Sequence, residues 1–254
     1  AAAARLEGKH VIGLDQTGLA QKGGAVISDI KITHQPFAGS PKVSDGRTDL
    51  YLGFDILNAT DPKNLDKCLP ERTIAIVSTT ATPTGQMVAN RNVVFPIVPN
   101  LTAGIERVTR KADNVFLDGQ AMAEGLFGDA MATNNFMVGV AYQAGTIPLK
   151  AESIETAIKN SGVGVEQSLA AFRWGRMAVV DRAFVMAEIQ KYAPKVAKPE
   201  LSGAARAIVD SVGAQGETRR AGPRAPVWQL ADPRRDRRAQ PDQGRQGPGR
   251  SPAE

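Results

Sequence analysis

The spacing of apolar residues changes period several times along the chain, and each change marks an element. Residues 10–15 (HVIGLD) predict a short buried strand, and the β-branched run 25–33 (AVISDIKIT) a second strand. Residues 49–54 (DLYLGF) predict another. Residues 72–79 (RTIAIVST) form the near-continuous apolar run of a strand covered on both faces, as in parallel sheets. Val115–Leu117 is a shorter candidate. Between and after these, the period becomes helical. Ala1–Leu6 reads as the last turns of a helix stopped by Gly8, and Asp61-Pro62 opens another, since proline suits a first helical turn. The stretch Gly128–Gly139 (GDAMATNNFMVG) predicts a helix capped by Asp129, with Asn134 and Asn135 in its middle and Gly139 permitting close helix packing. Ile154, Ala157 and Ile158 share one face of a helix over Ala151–Asn160, between Pro148 and Gly162. Val165, Leu169 and Phe172 share a face of the next.

Strands alternating with helices predict an α/β fold of three layers with a mostly parallel sheet over residues 1–180. A helical region begins near Asp181 and occupies 181–215. Domains of this type normally open with a strand, a glycine-rich turn and then a helix. This sequence opens inside the helix, so the expected first strand is missing and the sheet is expected to be incomplete.

Composition changes the picture mainly at the C-terminus. Of 254 residues, 42% are hydrophobic and 22% charged, which suits a globular domain with a substantial core. The net charge of +5 suggests nucleic acid until its distribution is seen. Residues 216–254 hold nine arginines against five acids and no lysine, so they carry +4 and the rest of the chain is nearly neutral. That tail, rich in Arg, Pro, Gly and Gln, lacks the apolar surface to offset its ordering entropy and is expected to be disordered. It reads as a frame-shifted or unselected extension. The rival is an RNA-binding arm, but Trp228 is its one aromatic for base stacking. No apolar stretch approaches the ~20 residues of a membrane helix, and the opening residues lack the pattern of a signal peptide. A cytoplasmic location without a membrane partner is the expectation. Cys68 is the single cysteine, and His10 and His34 are the only histidines, so neither a cluster nor a zinc site is expected in this chain.

No phosphate loop of the G-x-x-x-x-G-K-[ST] or G-x-G-x-x-G kind occurs. Asp45-Gly46 and Asp118-Gly119 both lack the preceding glycine of a thiamine-diphosphate motif, and no Ser/His/Asp or Cys/His set can be assembled. Three stretches remain. In the first, DQTGLAQKGG (residues 15–24), a loop with three glycines leaves the end of a strand, the place where ligands sit on open parallel sheets. Gly23 and Gly24 permit positive φ and close backbone approach, Lys22 offers a point charge to an anion, and Thr17 lies at the loop's start. An ordinary strand-to-strand connection with a solvated lysine is the alternative. The second is GDAMATNNFMVG, where Asn134 is either a ligand-side residue or a structural one bonded to a neighbouring loop. The third, TTATPTG (79–85), follows the apolar strand with its hydroxyls; it either lines the same cleft as the lysine loop or is a capped turn.

These stretches occur in one order: DQTGLAQKGGAVISDIKI, TDLYLGFDILNAT, TTATPTG, GDAMATNNFMVGVAYQAGTIPL and ESIETAIKNSGVGVEQSLAAFRWGR. In that order they resemble the γ-type, Rossmann-like domain of indolepyruvate ferredoxin oxidoreductases, members of the pyruvate/2-oxoacid ferredoxin oxidoreductase family. The likeness runs from Ala1 to about Arg176. It implies, for the complete assembly, oxidative decarboxylation of an aryl pyruvate to an acyl-CoA with reduction of ferredoxin. Thiamine diphosphate, magnesium and iron–sulfur clusters are implied in partner domains or chains, and no cofactor is expected to be bound by this chain alone. Coenzyme A and thiamine-binding partners are the implied contacts of Lys22, Gly23, Gly24, Thr17 and Asn134. No residue is assigned as catalytic, and a non-catalytic remnant or interaction module is the alternative.

Overall fold

A computed structural model describes residues 1–17, 26–90 and 92–192. The chain divides into two units, Ala1–Pro194 and Lys195–Glu254, and the described elements belong to the first. The arginine-rich tail therefore lies outside the described residues.

The first elements are a short helix, α1 (Ala2–Leu6), and strands β1 (His10–Thr17) and β2 (Val26–Thr33). The glycine stop is where the sequence puts it, with Gly8 at φ +68°. β1 and β2 pair antiparallel along their whole length, from His10 opposite Thr33 to Thr17 opposite Val26. They form a separate two-stranded sheet. This corrects the reading of residues 10–15 as a buried strand: no residue of β1 is fully buried. The reason is connectivity. Strands so close in sequence can join only as a hairpin, since a parallel pair needs a crossover of a dozen residues or more. A two-stranded ribbon has only one face to pack.

That face is pinned to the rest of the unit. Asp29, on β2, is 5% exposed and receives the ammonium of Lys67 at 2.6 Å, while its other oxygen accepts the Val43 N–H at 3.1 Å. A buried ion pair of this kind depends on each charge keeping its partner.

The parallel sheet follows: β3 (Leu50–Gly53), β4 (Ile74–Ser78) and β5 (Val115–Leu117), in spatial order β3-β4-β5. Both pairs are parallel, with Leu50 opposite Ile74 and Ile76 opposite Val115. Between β3 and β4 lie α2 (Ile56–Ala59) and α3 (Pro62–Leu65); Asp55 and Asp61 cap them, and Pro62 takes the first-turn place. Between β4 and β5 lie α4 (Gly85–Ala89) and α5 (Val98–Glu106). After β5 the chain is helical: α6 (Gly119–Phe127), α7 (Thr133–Gln143), α8 (Ala151–Ser161), α9 (Val165–Val180) and α10 (Arg182–Tyr192). Gly162 ends α8 with φ +69°.

The three-layer α/β architecture holds. Alternation along β4 sends Ala75 and Val77 to one face, against Ile56, Ala59 and Ile105 of α2 and α5. Ile76 goes to the other, against a larger cluster from α6, α7, α9 and α10 that includes Met122, Phe136, Met137, Val140 and Val185. Burial on both faces is why residues 72–79 carry no polar alternation. In a third cluster Ala3 of α1 packs with Ile154 of α8 and Phe172 of α9.

The helical layer turns on one close crossing. A Cβ added to Gly139 of α7 would lie 2.1 Å from the Phe172 carbonyl oxygen of α9. A Cβ on Gly175 of α9 would lie 1.9 Å from the Phe136 carbonyl oxygen of α7. Each helix thus carries Phe-x-x-Gly, and each glycine admits the other helix's backbone. The packing role read for Gly139 is borne out, and Gly175 is its reciprocal partner. Asn134 and Asn135 are not mid-helix: α7 begins at Thr133, so both stand in its first turn, where Asn134 is exposed. Asp129 does cap, but the preceding 3₁₀ turn Ala130–Ala132, through the Met131 N–H at 2.9 Å.

Candidate functional site

The carboxyl ends of β4 and β5 are where a parallel sheet presents ligand-facing loops, and here two loops are tied together there. The Thr79 N–H donates to the Leu117 carbonyl at 2.8 Å, continuing the ladder past the end of β4. Thr80 donates its hydroxyl to the Asp118 carboxylate at 2.6 Å. A hydroxyl has one proton, so the 2.9 Å contact between the Ser78 and Thr80 hydroxyls is a donation by Ser78. The Ser78 oxygen accepts the Gly119 N–H at 3.1 Å. Asp118 also caps α6 through the Ala121 N–H at 3.0 Å. The polar groups thus form one directed chain, Gly119 N–H to Ser78, Ser78 to Thr80, Thr80 to Asp118.

Gly119 eases this approach, since a Cβ there would meet the Met137 sulfur at 2.6 Å and the Ser78 oxygen at 3.2 Å and push one or both side chains aside. Each hydroxyl in the chain donates to a partner, and the one base they reach, the Asp118 carboxylate, is also engaged by the Ala121 N–H as the cap of α6. The cluster sets the geometry of a loop edge. From Thr80 the chain runs on through Thr84, whose hydroxyl accepts the Met87 N–H at 3.3 Å and caps α4. The capped-turn reading of residues 79–85 is therefore correct at Thr84.

The other sequence candidates stand elsewhere. Thr17 is exposed at the last position of β1, and Asn134 is exposed on α7. Among the described residues no hydrogen bond joins the two. Lys22, Gly23 and Gly24 lie outside the described residues. They connect β1 to β2, so the argument from the carboxyl end of a parallel strand does not apply to them: the flanking strands are an antiparallel hairpin. Asp118 and Gly119 figured in the sequence only as an incomplete thiamine motif. Nothing in their spacing signals contact with Ser78 and Thr80, because the contact exists only once β4 and β5 are neighbours.

The described residues do not fit a cluster or a metal-bound cofactor. No group of three or more His, Cys, Asp or Glu among them is placed to hold an ion. Cys68 is buried, and burial pushes its thiol up to about 11, away from the thiolate that ligation requires. Nor is any helix among them long and apolar enough to cross a membrane.

Residues 1–178 match the family of pyruvate ferredoxin/flavodoxin oxidoreductases. The chain belongs to this family. The matched span runs from α1 into α9, and so contains the hairpin, the parallel sheet and the Gly139–Gly175 crossing. Two solved oxidoreductase structures are similar in outline. One is the gamma subunit of a keto/oxoacid ferredoxin oxidoreductase from Geobacter sulfurreducens PCA, with 16% identity over 70% of this chain and 85% of that one, at a TM-score of 0.46. The other is the PORC subunit of a pyruvate oxidoreductase from Thermotoga maritima, with 14% identity, 70% and 84% coverage and a TM-score of 0.46. Likeness of that degree assigns neither substrate nor site. No curated protein matches significantly in sequence. For an oxidoreductase of this family the complete enzyme requires thiamine diphosphate and iron–sulfur clusters, so its chemistry involves partner chains or domains.

Proposed function

We propose that this chain is the γ-type domain of a 2-oxoacid:ferredoxin oxidoreductase acting on aryl pyruvates such as indolepyruvate, and that it has no activity by itself. The observation that carries this reading is the family match over residues 1–178, joined to described residues that offer no site for a metal or cluster. The complete reaction oxidises the 2-oxoacid, releases carbon dioxide, joins the acyl group to coenzyme A and passes the electrons to ferredoxin. Thiamine in a partner carries the decarboxylation, and this chain supplies positioning.

The hairpin is the part suited to that task. It is fixed mid-strand by the Asp29–Lys67 pair, and Lys22, Gly23 and Gly24 lie in the sequence between its two strands. A lysine there offers an ammonium to an anionic group, whether the coenzyme A phosphates or a carboxylate of the partner, and Thr17 and Asn134 lie on the interface side in the same reading. The test is reconstitution with the thiamine-binding chains of the same host, followed by indolepyruvate-dependent viologen reduction. Activity that needs both components, falls on Lys22→Ala and is partly kept by Lys22→Arg supports the proposal. Turnover by the lone chain, or a complex indifferent to this chain, defeats it. The second result would mean a non-catalytic remnant or interaction module.

A further inference from the structure

From Thr73 to Ile105 the sequence holds a single charged residue, Arg91, in a chain that is 22% charged. The first part of that run is the buried strand β4, where absence of charge is expected. Most of the rest is not buried. No described residue from Ala81 to Asn100 is buried. Val88 is 73% exposed, Val94 78% and Ile97 67%, placing three large aliphatic side chains of one segment in solvent. The segment is held at both ends, by the Thr79–Leu117 bond where it leaves the sheet and by Phe95 and Leu101, which pack on the α2/α5 face. An exposed stretch of this length ordinarily carries Lys, Glu and Asp. Their depletion together with exposed aliphatics is the composition of an interface core, not of a solvated loop.

We infer that Ala81–Asn90 and Asn92–Ile97 form the docking surface for a partner chain, and that the partner is the thiamine-binding chain of the same enzyme, meeting it with an apolar, charge-poor patch. This rests on the function proposed above. Two observations favour that occupant. The segment rises from the carboxyl edge of the sheet, directly beside the Ser78–Thr80–Asp118 chain, so whatever covers it also covers the ligand-facing edge. And the described residues fit neither a metal nor a cluster, so the reacting groups have to be brought to that edge by another chain. The segment, close to twenty residues, also approaches the ~20–30 residues a stable interface takes from each side.

The test uses the full chain, the purified thiamine-binding chain of the same host as probe, and two variants. V88D/V94D alters two exposed positions and is expected to leave the melting temperature unchanged while weakening binding on the order of a hundred-fold, as expected when two interface anchors are lost. V163D, at a residue 79% exposed between α8 and α9, is expected to bind like the wild type. Equal binding by V88D/V94D and wild type overturns the docking surface while leaving the proposed function standing. Equal weakening by V163D also overturns it, since any new charge would then suffice. No binding by the wild type overturns both. Wild-type dimerisation that V88D/V94D abolishes, without loss of partner binding, assigns the surface to a second copy of this chain and overturns the inference.

Discussion

Adding one methyl group at Gly175 tests the helical layer at its tightest point. From 1.9 Å, a Cβ on Gly175 must retreat to the 3.4 Å at which ordinary contact begins, a move of about 1.5 Å; from Gly139 the move is about 1.3 Å, from 2.1 Å. The obstacle in each case is a carbonyl of the facing helix, which no rotamer change removes. The helices must separate, and a gap of an ångström forfeits up to about half of each facing dispersion contact. Overpacking of a core costs about 1–3 kcal/mol, and a backbone obstacle puts this case at the upper end. Alanine regains about 1 kcal/mol of helix propensity over glycine, leaving a net loss of about 2 kcal/mol. For a unit of this size that lowers the melting temperature by about 4–8 °C. Gly104, inside α5, is the matched control: a Cβ there meets only a terminal nitrogen of Arg107 at 3.9 Å, so Gly104→Ala gains about 0.5–1 kcal/mol. One separation relieves both clashes, so G139A/G175A should cost less than the two single losses added. Thermal melts followed by circular dichroism read the four variants against the wild type. A Gly175→Ala protein melting at or above the wild type, or a Gly104→Ala protein falling with it, refutes the account of the crossing.

Other expectations follow from the buried and charged groups. Lys67→Met strands the Asp29 carboxylate in the interior and should cost about 3–5 kcal/mol in urea unfolding, most of it recovered in D29N/K67M; a single variant as stable as the double would show that the pair does not hold the hairpin. The Glu7 carboxyl, which accepts the Lys150 backbone N–H at 2.6 Å, is drawn down to about 2, first by that bond and then by Ser153 and Lys9. Because the folded value is depressed, its stabilisation is present above the ordinary value of 4.5 and is lost as pH falls toward 2. The melting-temperature gap between wild type and Glu7→Gln should close over that window, and a gap constant from pH 6 to pH 2 would contradict it. Cys68, buried with its thiol raised to about 11, should resist a disulfide-exchange reagent at neutral pH and react at once in denaturant; fast reaction of the folded protein would place it elsewhere.

How much of this was legible in the sequence varied with the range of the contact involved. The apolar run 72–79 identified β4 and its burial on both faces, because a strand covered on both sides leaves its mark on every residue. Gly8, Asp61-Pro62 and Gly162 marked helix ends through local backbone chemistry alone. At residues 10–15 period and length suit either a buried strand or a ribbon, and only the short connection to β2 distinguishes them. Asp129, a good cap residue, puts Asn134 mid-helix in the sequence, yet it caps a 3₁₀ turn and the helix starts four residues later. Gly139 could be read as a packing glycine, but its partner Gly175 and the contact of Ser78 with Gly119 depend on which elements meet in space. The charge-poor segment was present in the sequence, and it became meaningful only once the structure showed that its described residues are not core.

The measurement that bears most directly on the proposed function is indolepyruvate-dependent viologen reduction by the host's thiamine-binding chains, assayed with this chain omitted and with it restored. Little or no activity without the chain, none from the chain alone, and turnover on recombination is the predicted result. Full turnover without it would show that its family membership no longer corresponds to a working subunit.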